Sequence, residues 1–153
     1  MTLQEIASKY ALSEENVAAL EKAGYSEGDI DLFEAVTHFV KRGNIDAFKH
    51  VIENGYDVNS AEPGDFGSSL LHIAIRYGQM EMFGYLLDNG ADINYIDQVG
   101  WTPLMECIID GKPEFAQVLV NKGVDQSIVN QRGATAKALA MKFGQHAISQ
   151  MLN

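Results

Sequence analysis

Gly100-Trp101-Thr102-Pro103-Leu104-Met105-Glu106-Cys107 reads as a turn that becomes a helix. Gly100 supplies the positive φ that a tight turn needs. Thr102 is placed to cap a helix by accepting a backbone N–H, and Pro103 follows at the first helical position, where its missing N–H costs nothing. The stretch decides the fold because it recurs. Gly67, Gly100 and Gly133 stand 33 residues apart, as do Gly78, Gly111 and Gly144, and so do Gly90 and Gly123. Self-similarity at a fixed step of this size marks stacked repeating units.

Working outward, each unit holds a short helix, a tight turn, a longer helix and an extended loop. The second runs from Gly67 to Gly78 and continues through Met82, Phe83, Leu86 and Leu87. The third runs from Gly100 to Gly111, and Pro113 starts its second helix, carrying Phe115, Val118, Leu119 and Val120. The fourth runs from Gly133 to Gly144, followed by Ile148, Met151 and Leu152. The first opens before Gly43, and its closing loop, Ser60 to Phe66, is two residues longer than the later ones. No single helix pair of this size buries its apolar face, so the units are expected to stack into one continuous core. Residues 1–30 fall outside the repeat. They read as short helices around Leu3, Ile6 and Tyr10 and around Val17 and Leu20, and Ser26 is the expected cap of a helix from about Glu27 to Arg42. This segment is expected to be a helical N-terminal extension covering the end of the stack.

The units resemble ankyrin repeats, whose signature is Thr-Pro-Leu-His-x-Ala at a 33-residue period. Unit three has Thr102-Pro103-Leu104, with Met105 and Cys107 in the His and Ala places. Unit two keeps Leu71-His72-x-Ala74 behind Ser69-Leu70. Gly90-Ala91-Asp92-x-Asn94 is similar to the family's loop, as are Gly55-Tyr56-Asp57-x-Asn59 and, loosely, Gly123-Val124-Asp125. The resemblance implies an all-α solenoid of helix-turn-helix units, one continuous domain over residues 31–153, divided near 31–66, 67–99, 100–132 and 133–153. It implies a small stand-alone ankyrin protein of bacterial type. It also implies that His72 takes a hydrogen bond from Ser69 and bridges to the backbone of the next unit.

Charge narrows the function classes. The chain of 153 residues has a net charge of −10, concentrated in residues 1–66, where 13 acids face 5 bases. That balance argues against a nucleic-acid phosphate backbone as partner and fits either a basic protein partner or a solvated acidic surface that serves solubility. No run of 18 apolar residues exists and the first residues lack an apolar signal core, so neither a membrane span nor export is expected, and a cytoplasmic monomer is. Cys107, the single cysteine, excludes an internal disulfide.

No catalytic or metal constellation is legible. The histidines at 38, 50, 72 and 146 show no ligand spacing, the glycines are not clustered as a phosphate loop, and no pair of carboxylates is singled out. We therefore expect no enzyme, no cofactor and no metal. In ankyrin stacks, by resemblance, loop tips and first helices line a concave face that binds proteins. Carried onto this sequence, that face comprises Asp65, Phe66, Ser68, Arg76 and Tyr77 in unit two; Gln98, Val99, Trp101, Ile109 and Asp110 in unit three; and Gln131, Arg132, Ala134, Lys142 and Phe143 in unit four. Trp101 is expected to point outward and to anchor the site, because Trp, Tyr and Arg dominate interface energetics. The implied function is non-enzymatic protein binding, with two forms expected: a cytosolic inhibitor that neutralises a basic partner such as a toxin, or a scaffold or regulatory adaptor, including an effector acting on host proteins.

Overall fold

A computed structural model describes residues 1–64 and 66–153. The described residues form ten helices: α1 (Leu3–Lys9), α2 (Glu14–Lys22), α3 (Leu32–Arg42), α4 (Ile45–Glu53), α5 (Leu70–Arg76), α6 (Met80–Asp88), α7 (Pro103–Ile109), α8 (Pro113–Asn121), α9 (Ala136–Lys142) and α10 (His146–Met151). From α3 onward they pair as α3–α4, α5–α6, α7–α8 and α9–α10. First helices pack in the order α3, α5, α7, α9, and α4 packs on α6 as α8 packs on α10. This is an all-α solenoid, and its core is the row of apolar side chains between the units. Phe39, Phe48, Phe83, Leu71, Leu104 and Met105 are all buried. Phe83 meets Phe115 of the next unit edge to face, with ring centroids 5.1 Å apart. Burial of one such side chain is worth about 1.5–3 kcal/mol, so the stack is held by its inter-unit faces.

Local chemistry sets the element ends. Thr102 Oγ1 accepts from the Met105 N–H at 3.2 Å, and Ser69 and Thr135 cap α5 and α9 in the same way. Gly100 has φ +84, and a Cβ there would lie 2.9 Å from the Gln131 backbone nitrogen. The glycine thus serves both the turn and the close approach of the next unit's loop. The helix expected from Glu27 begins instead at Leu32, and its cap is Asp31, whose carboxylate accepts from the Glu34 N–H at 3.0 Å. Gly28, with φ +79, breaks the helical path, and Ile30 turns into the core.

The N-terminal helices are tied to the first pair by polar as well as apolar contacts. Asn16 donates to Asp46 and accepts from Asn44, at 3.0 and 2.8 Å, while Tyr10 stands edge-on to Tyr56. On the loop side, Asn59 Oδ1 accepts from the Asp92 N–H and Asn94 Oδ1 from the Asp125 N–H, both at 2.8 Å. These side-chain bridges step from one unit to the next at nearly the repeat spacing.

Candidate functional site

The loops that precede α7 and α9 are built on one device. Asp97 Oδ1 accepts from the backbone N–H groups of Val99 and Trp101, at 3.0 and 2.8 Å. Thirty-three residues on, Asn130 Oδ1 accepts from Arg132 and Ala134, at 2.9 and 3.0 Å. The Asp97 N–H also donates to the Trp101 carbonyl, as Asn130 donates to Ala134. Each loop therefore closes on itself and projects its tip beside the first helix of its unit. Adjacent tips are joined, since Gln98 N–H donates to the Phe66 carbonyl and Gln131 Nε2 donates to the Gln98 carbonyl, both at 3.0 Å.

One inter-unit bond is made by a buried imidazole. His72 Nδ1 receives the Ser69 N–H and lies 2.7 Å from Ser69 Oγ, so Nε2 carries the proton and donates to the Trp101 carbonyl at 3.1 Å. Burial pulls the His72 pKa down to about 4, against the opposing pull of Asp97 and the Trp101 carbonyl. The ring is neutral at pH 7 and acts as a structural clasp.

Tips and first helices enclose three concavities that run into one another. The first, about 350 Å³, lies between Asp31, Glu34, Lys41, Glu62, Arg76 and Tyr77. The second, about 340 Å³, continues from Arg76 past Phe66, Ser68, Glu106 and Asp110 to Val99 and Trp101. The third, about 530 Å³, starts from Val99 and Trp101 and ends at Arg132, Lys142 and Phe143. Shared walls make them one groove along the stack. The expected residues of units two to four that the structure describes line this groove, except Gln98, which is joined to it through its backbone bonds to Phe66 and Gln131. Asp65 lies outside the described residues.

Exposure sorts the expected residues. Phe66 is 63% exposed, Phe143 49%, Ile109 48% and Tyr77 44%. Trp101 was expected to point outward. It is half-buried and packed against the core, while its backbone is held on both sides by Asp97. Ser68 is buried, and its hydroxyl accepts from Arg76 Nη2 at 3.2 Å, so it orients the arginine and offers little surface of its own.

Sequence reasoning missed Glu106 and Asp97. Arg76 Nε donates to Glu106 Oε1 at 2.9 Å across the boundary between units two and three. Burial pushes the Glu106 carboxyl up to about 6; Arg76 pulls it back and Asp110 pushes it further up. Asp110 Oδ2 is buried with no hydrogen-bond partner among the described residues. The spacing of Glu106 and Asp110 on one helix face was a readable signal, but Arg76, thirty residues away, was not linked to it.

Cys107 is fully buried and burial pushes its thiol up, so no thiolate is available. No cluster of metal-ligating side chains occurs among the described residues, and no described helix is long and apolar enough to cross a membrane.

Comparison with known proteins bears on this architecture. A family model of ankyrin repeats matches three times, over residues 7–97, 32–130 and 89–153. The ADP-ribosylation factor GTPase-activating protein AGD4 of Arabidopsis thaliana is 30% identical over 147 residues, 88% of this chain and 19% of that protein. Ankyrin repeat and SAM domain-containing protein 6 of Rattus norvegicus is 32% identical over 107 residues, 69% of this chain and 12% of its own length. The human NAD-capped RNA hydrolase NUDT12 is 41% identical over 59 residues, 39% of this chain and 13% of the hydrolase. The chain spans less than a fifth of the length of each of these relatives.

Proposed function

Because the chain belongs to the ankyrin-repeat family, whose stacked units serve as protein-interaction modules, we propose that it is a non-enzymatic binding protein whose groove, from Tyr77 and Phe66 to Trp101 and Arg132, holds another protein. The carrying observation is the charge of the first two concavities. Among the described residues, Asp31, Glu34, Glu62, Asp97, Glu106 and Asp110 line them against Lys41 and Arg76. Together with the excess of acids in residues 1–66, this supports a basic partner, which the protein would neutralise as an inhibitor neutralises a toxin.

The test is kinetic. A partner isolated by affinity capture should associate more slowly as salt rises from about 0.05 to 0.5 M, since screening shortens the reach of the charges from roughly 14 to 4 Å. An acidic partner, or an association rate indifferent to salt, would remove the neutralising role.

A second reading, a docking module or adaptor, has its own support. The relatives carry their matching region as a small part of a much longer protein. A partner that stays active while bound would favour that reading over inhibition.

A further inference from the structure

The third concavity departs from the charge of the rest of the groove. In a protein of net charge −10, its lining holds Arg132 and Lys142 and no carboxylate. Among the described residues neither cation is spent on an ion pair, the salt bridges engaging the Met1 amino group, Lys49, His50, Arg76 and Lys122. Lys142 leans over the half-exposed Phe143 ring, 5.9 Å from its centroid. Trp101 and Val99 line the same concavity, so positive charge stands beside apolar surface.

We propose that this concavity receives an acidic residue of the partner protein, Asp or Glu, with an adjoining apolar side chain. The carboxylate goes to Arg132 and Lys142, and the apolar group goes to Trp101 and Phe143. The planar fork of an arginine suits a carboxylate, and lysine adds a compact charge. The groove is then electrically directional. Its first two concavities favour cations and its third favours an anion, so a partner segment carrying both signs lies along it in one direction only. This rests on the reading of the groove as the binding face and adds what its far end recognises.

The test uses two dipeptides, N-acetyl-Asp-Phe-amide and its neutral isostere N-acetyl-Asn-Phe-amide, titrated into the full chain and followed by ¹H–¹⁵N NMR. The expected result is saturable shifts at the Trp101 indole N–H, the Arg132 Nε–H and the Phe143 amide. Affinity should be about fivefold higher for the acidic probe, the upper range for exposed ion pairs, with the gap closing at high salt. It should close in Arg132→Gln/Lys142→Gln as well. Equal binding of the two probes, a gap that survives the double substitution, or shifts confined to other parts of the chain would overturn the proposal. The comparison of probes on the unaltered chain needs no variant to fold. If the probes do not differ yet Trp101→Ala still releases the partner, the acid pocket fails and the groove stands. If Trp101→Ala leaves partner binding intact, the groove reading itself fails.

Discussion

The imidazole of His72 donates its Nε2–H to the carbonyl of Trp101 at 3.1 Å, and so one buried ring joins units two and three. In unit three the corresponding position is Met105, buried and apolar, so the next junction has no such bond at that position. His72→Met makes the junction of units two and three like that of units three and four. It keeps the packing but leaves the Trp101 carbonyl without this donor, and it should cost about 2 kcal/mol, read as a lower urea midpoint with unchanged slope.

The same ring sets a pH dependence. The folded-state pKa of His72 is near 4, against an ordinary 6.5, so the unfolded chain binds the extra proton first. Its stabilising contribution is complete above pH 6.5 and declines as the pH falls through 4, by about 3 kcal/mol. Glu106 acts in the opposite sense. Its carboxyl is raised to about 6, so the folded state holds that proton more tightly, and the associated stability is full below 4.5 and lost as the pH rises through 6. Urea midpoints measured from pH 7 to pH 4.5 should therefore fall more steeply for wild type than for His72→Met. Parallel profiles would mean that the ring titrates normally.

Arg76 compensates a buried carboxylate across the unit boundary. Its own side chain is 40% exposed, whereas that of Glu106 is 11% exposed. Arg76→Met should destabilise the fold at pH 7.5 by about 1–2 kcal/mol, less than for a fully buried pair. The loss should shrink near pH 5, where Glu106 takes a proton and needs no cation. Denaturation of both proteins at the two pH values checks this, and an equal loss at both would assign the effect to packing.

Glycine positions divide by what surrounds them. At Gly100 a Cβ meets the Gln131 backbone at 2.9 Å, but at Gly123, φ +78, it meets nothing within 4 Å. Gly123→Ala should cost only the left-handed backbone, about 1 kcal/mol, and Gly100→Ala about 2–3 kcal/mol because the next loop must also move. Thermal unfolding of the two variants separates the contributions.

How much of this was readable in the chain depends on distance along it. The 33-residue glycine steps, the Thr102 cap and Pro103 are local signals, and each carried its helix. The Ser69–His72 pair was legible because the resemblance names its role and its partners lie three residues apart. The start of α3 was misplaced because Ser26 and Asp31 are both good caps, and the choice between them was made by Gly28 and by the burial of Ile30. Of the site, the side of the stack was taken from the resemblance, and the period only carried it from unit to unit. Its continuity was not legible, since the walls shared by successive concavities, Arg76 and Trp101, depend on how units stack. Trp101 is half-buried against the core, and Asp97 clamps its backbone, an Asx device that one copy of a loop does not announce. Lining up Asp97 with Asn130 would have revealed it.

The central claim is that the groove, and not the reverse face of the stack, holds the partner. The most direct measurement is the affinity of one captured partner for wild type, Phe66→Ala, Trp101→Ala and the reverse-face control Gln117→Ala, with each variant first shown to be folded by circular dichroism. Trp101→Ala and Phe66→Ala should each weaken binding by about tenfold or more, as hot-spot truncations do, while Gln117→Ala leaves it unchanged. Groove variants that bind like wild type, or a control on α8 that loses as much as they do, would contradict the account.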